Sequence, residues 1–270
     1  MKSEMFAVAD HASAPGRRTT FQQGRTKLNS EVVPPLRSTR PRNLILSKLP
    51  EEQFQGLAKF LVPVDLPMGM QLSSPSQPIE FIYFPVGGLI STDALTEKGE
   101  SVEVGLIGRE GFAGLAGLLG QPQMLHSVIM QGPGSGFRVR CSLMRDEFLK
   151  GGVLAQMVYD FAYLQMVQMT QSVLCNRMHP VEARLARWLL MSADRTESEE
   201  LLLTQEFLAQ MLGSRRSTVT VAAGELQRLR AIDYSRGKIR IMNRPVLMSK
   251  ACECYGIVAA AYERMLPKNF

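Results

Sequence analysis

TQEFLAQMLGSRRSTVT, residues 204–220, holds two short helical patterns separated by a glycine. Thr204 is a good N-cap, because its side-chain oxygen can accept from an amide that has no partner inside the helix. Glu206 then sits in the first turn, where negative charge is favoured. Phe207, Leu208, Met211 and Leu212 supply one apolar face to a helix over 205–212. Gly213 suits the left-handed turn that ends such a helix. Ser214 is expected to cap a second helix over 215–229, with Val219, Ala222, Ala223 and Leu226 facing inward. Two short helices joined by a glycine turn make a helix-turn-helix.

The second helix would open with Arg215, Arg216, Ser217, Thr218 and Thr220. Arginine can pair bidentately with guanine, and hydroxyls can bond phosphates or base edges. Downstream, 231–234 and 238–242 flank Ser235-Arg236-Gly237, a β-hairpin pattern. A basic hairpin beside such a helix reads as a wing, with Arg236 and Lys238 on phosphate. Residues 204–246 carry eight Lys/Arg against three Asp/Glu, whereas 44–203 are net acidic. The module is thus set apart as the polyanion-facing part of the chain. Charge alone fits a solvated basic face equally well.

Working outward, 181–194 reads as a helix with Leu185, Trp188 and Leu189 inward, started by Pro180. Before it, 154–178 has neither Pro nor Gly. Met157, Phe161, Leu164, Gln168, Gln171, Cys175 and Met178 follow steps of four and three, which predicts a two-stranded dimer seam. Val158, Val167 and Leu174 lie off that line, so the helix has two apolar faces to bury. Between 64 and 139, short apolar runs alternate with Gly and Pro, the pattern of an antiparallel sandwich or barrel. A short helical entry is expected over 44–62, and 111–120 reads as a Gly-rich apolar turn. Residues 1–43 lack periodicity and read as a disordered basic tail.

TQEFLAQMLGSRRSTVT resembles the winged-helix reader of the Crp/Fnr regulators, and HPVEARLARWLL (179–190) the helix leading into it. IYFPVGGLIS (82–91) and VGLIGREGFAGLAGLLG (104–120) resemble the family's cyclic-nucleotide-binding-type jelly roll. The resemblance covers roughly 45–250 and implies an α+β chain: a β-domain over 44–150, a dimerisation helix over 151–178, a winged helix-turn-helix over 179–250 and a helical extension over 251–270. It implies a homodimer on palindromic double-stranded DNA, with RNA polymerase as a candidate partner. Carried over by position, Thr204 and Gln205 would touch phosphate, as would Ser214, Arg215 and Thr218. Arg216, Ser217, Thr220 and Val221 would read bases.

The chain departs from the nucleotide-binding members in the effector cup. Where they hold ribose and phosphate, this chain has Gly114, Leu115, Leu125, His126 and Ser127, without a phosphate-pairing arginine. A cyclic phosphate would be costly there, so cyclic AMP is not the expected effector. The iron–sulfur sensors' early Cys cluster is missing: the cysteines are at 141, 175, 252 and 254. Cys252-x-Cys254 alone is weak grounds for a metal, and His126 alone is weak grounds for haem. No cofactor and no metal are expected. Arg230 stands where the family usually has Gly, and would cost about 1 kcal/mol if left-handed. No nucleophile–base set or phosphate loop points to an enzyme. A soluble cytoplasmic protein without a membrane span is expected. The rival expectation is a ligand sensor acting through protein contacts, with a degenerate reader.

Overall fold

The computed structural model describes residues 40–265. Most of the expected basic tail therefore lies outside the described residues. Its last residues do not behave as tail. Asn43 is fully buried: its Oδ1 accepts from the amides of Ile45 and Leu46, and its Nδ2 donates to Pro85 O and Gly111 O. The helical entry expected over 44–62 is two short helices, α1 (Leu44–Lys48) and α2 (Glu51–Ala58), because Pro50 cannot continue the first.

The strands that follow are β1 (Val62–Leu66), β2 (Gln71–Ser73), β3 (Phe81–Pro85), β4 (Leu89–Leu95), β5 (Ser101–Ile107), β6 (Ser127–Gly132) and β7 (Gly134–Arg140). They form two antiparallel sheets, β1-β7-β3 and β2-β6-β4-β5. Inward residues such as Ile82, Phe84, Ile90, Leu106, Val128 and Val139 fill the space between the sheets. This is the jelly-roll sandwich. The Gly-rich stretch at 111–120 holds a one-turn helix, α3 (Leu115–Leu118), rather than turn alone.

Helix α4 (Cys141–Leu149) leads into α5 (Gly152–Met178), 27 residues and so about 40 Å long. Phe161 of α5 stacks on Phe112, which stacks on Phe84 of β3, with centroids 4.9 and 5.6 Å apart. A side chain on Gly111 would come within 2.1 Å of the Phe161 ring, so glycine there lets the helix seat on the sandwich. Pro180 starts α6 (Val181–Thr196). Then come β8 (Glu200–Leu202), α7 (Gln205–Met211), α8 (Arg216–Arg228), β9 (Ile232–Ser235), β10 (Lys238–Ile241), α9 (Arg244–Lys250) and α10 (Glu253–Met265). Strands β8-β10-β9 make a small antiparallel sheet against α6, α7 and α8.

The expected dimer seam is corrected. Met157, Phe161, Leu164, Gln168 and Cys175 are buried within the chain itself. Gln168 is there for a polar contact, not for register: its Nε2 donates to Leu106 O at 3.1 Å, and its Oε1 accepts from Arg195 at 2.5 Å. Arg195 is buried against Glu110 at 3.2 Å and lies over the Tyr262 ring of α10. The inner face of α5 is thus committed to the sandwich, α6 and α10. No helix among the described residues is long and apolar enough to cross a membrane.

Candidate DNA interface

Thr204 caps α7, its Oγ1 accepting from the Phe207 amide at 3.1 Å. The helix ends in a left-handed Gly213 (φ 52°), with Ser214 N bonded to Ala209 O and Gly213 N to Gln210 O. This is a Schellman stop. Ser214 does not cap α8. Its hydroxyl donates inward to Leu212 O and lies 3.5 Å from Arg184 Nη1. The cap position falls on Arg215, whose side chain makes no cap bond. The contact expected of Ser214 with phosphate is therefore withdrawn: that hydroxyl stabilises the turn.

Val219, Ala222, Ala223 and Leu226 are buried under α8, and small Ala222 and Ala223 let α7 and α6 approach. The opposite face carries Arg215, Arg216, Ser217, Thr218 and Thr220, all exposed, together with Val221 at 74 %. Thr220 Oγ1 donates to Gln205 Oε1 at 2.9 Å, tying the starts of the two helices together. Arg216 stands 4.0 Å from Glu206 in a loose surface pair. The hairpin turn uses Arg236 and Gly237, both with positive φ (49° and 78°), as a two-residue primed turn requires. Arg236 is exposed at its tip.

Two residues outside the expected set shape this surface. Glu200 of β8 pairs with Lys238 at 2.6 Å and Arg240 at 3.0 Å, which holds its carboxyl below the usual range and partly neutralises the wing. Arg184 of α6 is buried and donates to Leu212 O, holding the turn between α7 and α8 from beneath. No local pattern marks either residue, because both act across the sheet or from a preceding helix.

The reader also docks on its own sandwich: Gln210 Nε2 donates to Ser101 Oγ at 2.7 Å, and Gly213 lies over Val102.

A family model for the Crp-like helix-turn-helix domain matches residues 183–249. Over that stretch the chain carries a helix-turn-helix domain of the Crp-like kind. The Global nitrogen regulator of Synechococcus elongatus is 25% identical to this chain over 193 residues, covering 67% of it and 86% of the relative. FixK2 from Bradyrhizobium japonicum superposes with a TM-score of 0.60 at 15% identity, over 71% of this chain and 98% of that one. A CRP-family regulator from Thermus thermophilus gives 0.58 at 16%, over 70% and 96%. At these identities the structures speak for the fold.

The residues expected to form an effector cup are only partly brought together. Gly114, Leu115 and His126 line a cavity of about 150 Å³ beneath α5, closed by Phe161, Gln165 and Met169. Leu125 does not line it and is 84 % exposed, and Ser127 instead accepts from Gln71 Nε2 at 2.7 Å. Alternation along β6 and its approach loop turns these two side chains away. Burial holds the His126 imidazole below its ordinary pKa, favouring the neutral ring.

Proposed function

We propose that the protein is a homodimeric transcription regulator that reads a palindromic operator through the first turn of α8. The observation that carries this reading is the exposed Arg216-Ser217-Thr218 tip on a buried Val219–Leu226 face, flanked by the hairpin. The start of α8 has no side-chain cap, so its amides and dipole favour a DNA phosphate there. Arg216, Ser217, Thr220 and Val221 would read bases, Val221 through apolar contact such as with a thymine methyl. Thr204, Gln205, Arg215, Thr218, Arg236 and Lys238 would hold phosphates, Lys238 at the cost of exchanging Glu200.

Dimerisation falls to the outer face of α5. Tyr159, Tyr163, Met166, Thr170 and Val173 repeat in steps of four and three, and Met166 and Val173 are 65 % and 69 % exposed. An apolar stripe with that period suits a second copy of the same helix. Two readers would then meet half-sites about 34 Å apart. The cavity under α5 supports a small, largely apolar effector. None of its lining residues is Lys or Arg, so a cyclic phosphate would lie unpaired.

Selection of bound fragments from random DNA, followed by anisotropy titration at two salt concentrations, tests this reading. A palindromic preference and steep salt dependence are expected. Arg216→Ala should cost about 1–3 kcal/mol at one base pair and relax the preference there. Lys238→Ala should weaken all sequences alike. Unchanged discrimination by Arg216→Ala would remove that turn from base reading. Absence of DNA binding would favour a sensor acting through protein contacts.

A further inference from the structure

Four ligand-type atoms converge where α5 ends and the α9–α10 joint passes beside it. The Sγ atoms of Cys175, Cys252 and Cys254 and a ring nitrogen of His179 all lie within 4.8 Å of one another. Cys175 Sγ is 3.5 Å from Cys252 Sγ, and Cys254 Sγ is 3.7 Å from His179 Nδ1. A tetrahedral zinc with Zn–S of about 2.3 Å and Zn–N of about 2.0–2.1 Å would set S···S edges near ~3.8 Å and S···N edges near ~3.6 Å. The two observed contacts match those edges to within a few tenths of an ångström.

The surroundings fit a metal as well. His179 Nε2 lies 3.2 Å from Glu253 Oε1. A proton on Nε2, held by that carboxylate, leaves the Nδ1 lone pair facing the thiols, as in zinc-bound histidines whose other nitrogen donates to a carboxylate. The three cysteines are buried, so the pocket is closed apart from the His179–Glu253 side. Two cations are also buried in the adjoining α6. Arg184 and Arg187 each keep an Nε–H with no hydrogen-bond partner among the described residues. Three thiolates around a divalent cation carry one net negative charge, which would offset about half of the charge on these two guanidiniums.

We propose that Cys175, His179, Cys252 and Cys254 bind one zinc ion that clamps the α9–α10 joint to the end of α5. Four protein ligands complete the tetrahedron, so the site is structural rather than catalytic. Sulfur-rich, tetrahedral coordination selects zinc over the hard cations. Binding displaces the thiol protons to solvent. The site stands independently of how the chain meets DNA.

The test uses the full chain, purified anaerobically with reductant. Elemental analysis should find one zinc per chain that survives dialysis. After chelation, titration with Co²⁺ alone should give thiolate-to-cobalt charge transfer and the intense visible bands of a tetrahedral ion, saturating at one equivalent and displaced by Zn²⁺. Cys252→Ser and Cys254→Ser should abolish or reshape those bands, while Cys141→Ser, outside the cluster, should keep them. Glu253→Gln should lower Zn²⁺ affinity on the order of 10–100-fold with the band shape retained. Well under one zinc per reduced wild-type chain together with featureless cobalt spectra would overturn the proposal. So would bands unchanged in both serine variants, or a native Cys175–Cys252 disulfide, which would make the cluster a redox pair.

Discussion

The two faces of α5 carry the same heptad spacing and opposite fates. Met157, Phe161, Leu164, Gln168 and Cys175 are buried inside the chain, whereas Tyr159, Met166 and Val173 stand exposed. Spacing reports that a helix has a face to cover, not what covers it. The polar members decide. Gln168 is tied to Leu106 O and Arg195, and Gln165 donates to the Tyr262 hydroxyl at 3.2 Å. Those bonds need partners from the same chain, so the face bearing them is the inner one. The largest test of this division is Phe161→Ala. The ring bridges Phe112 and Gly111, and its loss should destabilise the protomer by about 3–5 kcal/mol in chemical denaturation. A loss below about 1 kcal/mol would mean that the inner face is not what seats α5.

A titration sharpens the same contrast on the inner side. Glu103 of β5 aims its carboxylate at α6, accepting from Trp188 Nε1 at 2.8 Å and from Gln131 Nε2 at 3.1 Å. Burial, and then the nearby Asp93, push its pKa from 4.5 up to about 8. Below pH 4.5 folded and unfolded chains both hold the proton. Between 4.5 and about 8 the folded chain holds a proton that the unfolded chain has released, so stability falls as pH rises. The slope is up to about 1.4 kcal/mol per pH unit and flattens above 8. Glu103→Gln should remove most of it, since the amide oxygen still accepts from Trp188. Denaturation at several pH values measures this, and an unchanged slope would assign it elsewhere.

The reader was the most legible part of the chain because its signals are local: a Thr cap, a glycine stop, four inward residues at helical spacing and a Gly-containing hairpin turn. The jelly roll was legible as a class from strand lengths and turn residues, but the order of its sheets depends on long-range pairing. The helical entry over 44–62 was legible, but its division into two helices at Pro50 was not. Ser214 was misjudged as a cap because the Leu212 carbonyl and Arg184, 30 residues away, engage its hydroxyl instead. Cys175 was read as a dimer-seam position and His179-Pro180 as the break that ends the helix. Only the return of α10 along α5 brings Cys252 and Cys254 to Cys175 and His179, and no spacing rule reaches that far along the chain.

Arg230 acts on neither face of α5 and gives a baseline. It closes α8 in a Schellman motif, with Ala231 N on Leu226 O at 3.0 Å, and its φ is 55°. A side chain in that conformation costs about 1 kcal/mol, so Arg230→Gly should stabilise the protein by about that amount, read as a raised denaturation midpoint. A destabilised Arg230→Gly would show that the arginine side chain contributes more than its backbone costs.

The smallest effect on the protomer is expected on the outer stripe, and it decides the comparison. Met166 and Val173 lie seven residues apart on one line, and neither is needed by the chain's own core. Charges placed there face water in a monomer, where surface changes stay within about 0.5 kcal/mol. In a dimer the same charges would be buried against their symmetry copies, with repulsion and desolvation acting together. Met166→Glu with Val173→Glu should therefore turn a dimer into a monomer in sedimentation velocity while leaving the helical circular dichroism intact. Because dimer formation itself adds a concentration-dependent term to stability, protomers must be compared at dilutions where that term vanishes. If the doubly charged variant still sediments as a dimer, the outer stripe is not the seam, and the covering partner of α5 lies on another surface.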